Sequence, residues 1–184
     1  MCKPWTCNEP FSFKDEHFSK IYTFFVIETP IEDDSVRNIS LKKRMISSNS
    51  LMPKLKSFSK ELNSNWYPIH QQKYGLYDAD IKELFNNNGF EKHTNNYMEF
   101  AAFRVPKNAT ISASFIHCIR CSFAHGGFCT HISHNGDKYY FFENINNTIE
   151  PSEINSRIVI KEDTLLKFVE FCNNNLKKEE QWVN

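Results

Sequence analysis

The sequence predicts a mainly α fold: a helical bundle with a small C-terminal antiparallel β-hairpin or three-stranded appendage. Three observations lead there. Through most of the first two thirds, apolar residues recur at three- and four-residue steps, the period of a helix with one buried face. Helix start and stop residues bracket several of those runs. After Gly126 the period changes to short alternating runs around Asn135-Gly136, a dipeptide favoured in tight hairpin turns.

Taken in order, Phe18, Ile21, Phe24 and Phe25 predict a helix over about 14–28 that Pro30 closes. Glu32-Asp33-Asp34-Ser35 reads as an acidic helix start leading through Val36 to Ile46, and Ser47–Ser50 with Pro53 breaks that run. A short helix fits Leu55–Trp66, ended by Tyr67-Pro68. Asp78–Asn88 has Ile81, Leu84 and Phe85 on one face, an acidic first turn and Gly89 at its end. Met98–Arg104 reads as a further helix, halted before Pro106. Asn108 or Thr110 then caps a helix in which Ile111, Phe115, Cys118 or Ile119, and Ser122 keep helical spacing up to Gly126. Phe128–His134 and Lys138–Glu143 form the hairpin, and Ser156–Lys161 is a third short strand. Asp163 or Thr164 caps a last helix with Leu165, Phe168, Val169, Cys172 and Leu176 on one side.

These 184 residues suit one domain: N-terminal helices over 1–90, motif-bearing helices over 95–126, a β appendage over 127–162 and a C-terminal helix over 163–180. Seventeen Phe within a 40% hydrophobic composition supply enough apolar material for one core. Twenty-two basic and 22 acidic side chains cancel, so the whole molecule has no long-range field to gather a polyanion. Any nucleic-acid site must be a local patch, and Arg37, Lys42, Lys43 and Arg44 form the one basic cluster. Ile21–Ile27, the most apolar stretch, is too short to span a bilayer. With no apolar leader visible, the six cysteines read as reduced thiols and the expected location is the cytoplasm.

The chemistry-bearing segment is Ile116-His117-Cys118-Ile119-Arg120-Cys121-Ser122-Phe123-Ala124-His125-Gly126-Gly127. Arginine is a permanently charged planar fork that suits a phosphate and the extra charge it gains in a transition state. Histidine changes charge near neutral pH and so accepts and returns a proton. Five steps of helix separate Arg120 and His125 by about 7.5 Å of rise and about 140° of rotation. A long Arg side chain still reaches along the helix surface, and a His in the last turn leans back toward it. The plainer alternative is a solvated Arg and a His that complements the C-terminal end of the helix dipole.

The stretch Ile119–Gly126 resembles the signature of the HEPN superfamily, an Arg followed four to six residues later by His, including the Ala before the His and the Gly after it. The hairpin, the strand at Ser156–Lys161 and the helix opening Lys161-Glu162-Asp163-Thr164-Leu165-Leu166 are similar to one bacterial group of that superfamily, so the resemblance covers about 98–176. It implies an all-helical core that dimerises and sets two Arg–His pairs in one cleft. It implies a metal-independent endoribonuclease, often a toxin or antiviral defence factor, leaving a 2′,3′-cyclic phosphate and a 5′-hydroxyl. DNA is spared in this reading because it lacks the 2′-hydroxyl. Arg120 and His125 carry the motif as catalytic residues; Cys121, Ser122, His131 and His134 are added as substrate-binding candidates. The expected partners are an RNA substrate, a second copy of the chain, and an antitoxin or regulatory protein, with no membrane and no cofactor.

Two other readings use the same residues. Cys118, Cys121, His125, Cys129, His131 and His134 lie within 17 residues and are of the types zinc prefers. No second spaced pair completes a known zinc module, so no metal is expected. The functional alternative to an enzyme is a non-catalytic interaction module that binds a partner protein or nucleic acid and uses the Arg–His pair as a buttress.

Overall fold

The computed structural model describes residues 12–28, 65–70, 99–106, 111–146 and 153–180, and over these the chain is an α+β fold. Helix α1 (Glu16–Tyr22) runs on into a π-helical turn at Thr23–Ile27. Strands β1 (Asn65–His70) and β2 (Phe100–Val105) follow, then α2 (Ile111–Ala124). Strands β3 (Phe128–Ile132), β4 (Lys138–Asn146) and β5 (Glu153–Lys161) lead into α3 (Glu162–Glu180). The sheet order is β1-β2-β5-β4-β3, with β1 parallel to β2 and the other neighbours antiparallel.

The helices lie on one face of that sheet. Strand parity puts Ala101, Phe103 and Val105 of β2, Tyr140 and Phe142 of β4, and Ile158 and Ile160 of β5 on the helix side. Against them pack Phe18, Ile21, Phe24 and Phe25 from the first helical segment. Phe115, Ile116, Ile119 and Phe123 come from α2, and Leu165, Phe168, Val169 and Cys172 from α3. Ring contacts knit the two layers: Phe123 lies 4.9 Å from Phe142, and Phe103 5.7 Å from Phe115. The other face is buried as well. Cys129, Tyr139, Phe141 and Val159 cluster there beside an ion pair, Arg157 Nε to Glu143 at 2.6 Å.

The mainly helical bundle is therefore corrected: the strands are not an appendage but one of the two layers that enclose the core. Two segments account for the difference. The helix expected over Met98–Arg104 is strand β2, in which Ala101, Ala102, Phe103 and Val105 are all buried. A central strand covered on both faces carries a continuous apolar run, which periodicity alone does not separate from a buried helix. The helix expected over Leu55–Trp66 gives way, at its described end, to the edge strand Asn65–His70. Pro68 suits an edge, where a missing N–H leaves no gap in the ladder. The expected helices over Val36–Ile46 and Asp78–Asn88, the residues 55–64, and the caps at Asn108 or Thr110 lie outside the described residues.

Local signals explain the remaining elements. Asp15 caps α1, its Oδ1 accepting from the Phe18 N–H at 3.1 Å. The β3–β4 turn differs in detail from the expectation. Gly136 N–H donates to the Ser133 carbonyl, so the central residues are His134 and Asn135, and Gly136 follows at φ +81°. That is a tight turn with a glycine bulge rather than a two-residue loop.

Candidate functional site at the end of helix α2

Helix α2 crosses the sheet from β2 toward the β3 edge and is buried on most sides. Ser114, Phe115, Ile116, Cys118, Ile119, Cys121, Ser122 and Phe123 are inside. What reaches solvent is a narrow stripe at three- and four-residue steps: Ala113, His117, Arg120 and Ala124, continued by His125 and Gly126. The helix then stops by a glycine motif. His125 N–H still bonds the Cys121 carbonyl at 2.9 Å, Gly126 N–H bonds Phe123 and Gly127 N–H bonds Ser122 at 2.7 Å. Gly126 takes φ +69°, the left-handed conformation that this termination requires.

Gly127 is needed for a different reason. Its carbonyl accepts from the Glu143 N–H at 2.7 Å, and a Cβ there would lie 2.2 Å from the Glu143 carbonyl oxygen. The two glycines thus turn the end of α2 directly into the sheet, holding His125 at the rim above it.

The residues singled out from sequence divide into four places. Arg120 is half-buried on the solvent stripe, with its Nε out of water, and His125 is exposed at the helix end. Cys121 is 9% exposed, and its Sγ lies 3.4 Å from Nε2 of the exposed His117. Ser122 is fully buried and its hydroxyl donates to the Cys118 carbonyl at 2.8 Å, so it faces the core. His131 sits on the opposite face of the sheet, edge-on to the Phe141 ring at 5.0 Å. His134 is exposed in the β3–β4 turn, beyond the end of β3 that lies away from α2. The structure therefore leaves Arg120 and His125 on the solvent side of α2, keeps Cys121 and Ser122 inside, and separates His131 and His134 from them. Of the zinc-type residues, Cys118 is buried, with its thiol pushed up to about 12 by desolvation, and Cys129 is buried on the far face.

Sequence reasoning missed two features. His117 stands one helical turn before Cys121, and the spacing His117-x3-Cys121-x3-His125 was there to be read. A second polar cluster joins three elements that are distant in sequence. Lys138 Nζ bridges Asp15 at 2.5 Å and Glu162 at 2.8 Å. His17 Nδ1 and the Tyr140 hydroxyl meet Glu162 at 3.0 Å each. Hydrogen bonding to Lys138 holds the Asp15 carboxyl below its usual range, while burial, with Glu162 alongside, raises the Tyr140 phenol. No local pattern announces that cluster.

No family model, no curated protein and no solved structure matches this chain. Among the described residues, no helix is long and apolar enough to cross a membrane.

Proposed function

We propose that this protein cleaves RNA without a metal, through Arg120 and His125, in the manner of the HEPN-type endoribonucleases that its motif resembles. The observation that carries the reading is the stripe on α2. On a helix otherwise turned inward, the Arg and the His are among the few side chains left at the surface, at one end and above a sheet edge. Side chains at such a rim meet a phosphodiester without any opening of the core.

The chemistry divides between them. His125 takes the proton of a 2′-hydroxyl as that oxygen attacks the adjacent phosphorus. Arg120 holds the non-bridging oxygens as charge builds on them. Breakage of the bond to the 5′-oxygen leaves a 2′,3′-cyclic phosphate, and an imidazolium returns a proton to the departing oxygen. A homodimer would supply that second imidazole from His125 of the other copy. A cytoplasmic toxin or defence factor held by an antitoxin is the setting this activity suits.

The test is RNA cleavage in EDTA. Wild type should cut RNA and leave DNA intact, while Arg120→Ala and His125→Ala should each lower the rate by about a hundredfold or more, with unchanged circular dichroism. Cleavage that persists in both variants removes the reading.

One observation favours the alternative of a non-catalytic interaction module. Gly126 and Gly127 are both used in ending α2 and entering β3, so the glycine that follows His125 has a structural role irrespective of catalysis. In that case neither wild type nor variants cut RNA, and a partner is recovered on the α2 stripe.

A further inference from the structure

We infer that His117 is a further substrate-binding residue of the α2 site, holding the phosphate that follows the one cleaved, so that the substrate is an RNA strand with two consecutive phosphates. The subsite rests on the ribonuclease reading of Arg120 and His125 and extends it. His117 is exposed on the same solvent stripe as Arg120, three residues before it. Residues three apart on a helix are neighbours, which sets the imidazole beside the guanidinium, about 4.5 Å of rise and about 60° away. His125 stands farther from Arg120 on its other side, by about 7.5 Å of rise and about 140°.

The His117 ring has a defined place. Its Nε2 lies 3.4 Å from Sγ of Cys121, a buried side chain that leans back along the helix toward position 117. That contact keeps the imidazole over the turn 117–121, the turn from which Arg120 projects. Cys121 itself stays inside and touches no substrate.

The order His117, Arg120, His125 along α2 gives the strand a direction. His125 meets the 2′-hydroxyl, which belongs to the nucleotide on the 5′ side of the scissile phosphate. That nucleotide lies toward the C-terminal end of α2, above Ala124, whose small side chain is exposed between Arg120 and His125. The departing 5′-oxygen and the nucleotide it carries lie on the other side of Arg120, toward His117. Two helical turns, about 12 Å of rise, separate His117 from His125. Groups that take and return protons at one phosphorus must both come within hydrogen-bond reach of the oxygens on it. This spacing is too long for His117 to serve the departing oxygen, and it suits the next phosphate along the strand. There an imidazole N–H donates to a phosphate oxygen, a charge-assisted bond when the ring is protonated.

Two oligonucleotides test the subsite in EDTA with the full chain. Each is built around a linkage that wild type cuts and is deoxy throughout, except for the one ribose that supplies the attacking hydroxyl. They differ in a single group: in the second, the phosphate that follows the cut is a neutral methylphosphonate. Wild type should cut the all-phosphate strand with a kcat/KM about tenfold higher, the effect of one hydrogen bond to a charged group, and the difference should lie mainly in KM. His117→Ala should cut the two strands alike with circular dichroism unchanged, and His117→Lys, which restores a donor, should bring back part of the preference. Equal cutting of both strands by wild type, or a preference that survives in His117→Ala, overturns the subsite and leaves the ribonuclease reading in place. Wild type that cuts no RNA removes the ribonuclease reading and the subsite with it.

Discussion

Residue by residue, the end of α2 shows how the same amino acid serves two unlike needs. Gly126 is required for its dihedral angle, with open space where a Cβ would stand; Gly127 is required for its size, because a carbonyl oxygen fills that space. Gly126→Ala should cost about 1 kcal/mol, the penalty of a left-handed conformation for a residue with a Cβ. Gly127→Ala should cost more, about 2–3 kcal/mol, since backbone rather than a flexible side chain must move. Urea midpoints of the two variants check the order. Equal losses would show that the approach of Gly127 to Glu143 is looser than described.

At the scale of elements, α1 is fastened by both oil and charge. Phe18 and Ile21, with Phe24 and Phe25 of the π-helical turn that follows, bury its inner face, while Asp15, at its N-cap, binds Lys138 of β4, which also holds Glu162 of α3. Asp15→Asn keeps a good cap and removes the charge, so it isolates the ion pair. The folded carboxyl titrates below its ordinary value of 3.8, so its contribution is full above that value and is lost as the pH falls through the lower, folded one. Lys138 loses some of its charge preference to burial, but its hydrogen bonds to Asp15 and Glu162 raise it overall. Its share persists up to its ordinary 10.5 and fades above the folded value. Asp15→Asn should therefore lower stability at neutral pH by no more than about 1 kcal/mol, because the carboxylate is a third exposed. The deficit should vanish in acid. Unfolding curves of both proteins measured from pH 2 to 8 provide the comparison.

At the scale of the whole molecule, the described helices cover one face of the sheet, and its two faces differ in kind. The helix side is aromatic and aliphatic, whereas the other carries the Arg157–Glu143 pair with side chains 1% and 6% exposed. Glu143→Gln removes one counter-charge from a buried guanidinium and should cost up to about 3 kcal/mol. A double change, Arg157→Met with Glu143→Leu, should cost less than the single one, as desolvation of both charges is then avoided. Chemical denaturation of the three proteins decides it.

Much of this was written locally. Phe18, Ile21 and Phe25, or Leu165, Phe168 and Cys172, reveal helices because each helix has one wet face and one dry one. Asn135-Gly136 revealed a turn, and the Arg120–His125 segment stood out because its members are sequence neighbours. The strand at Phe100–Val105 was illegible, since cover on both faces erases alternation. Local sequence determined the helices described near 16–27, 111–124 and 162–180 and the reactive side chains near 120. The last helix nonetheless begins at Glu162, ahead of the expected caps Asp163 or Thr164, which lie in its first turn. Only tertiary structure decided that the strands form a central sheet, that Ser122 faces inward while His117 faces out, and that Asp15, Lys138 and Glu162 meet. Burial and proximity between distant segments are properties of packing, and no single stretch of chain carries them.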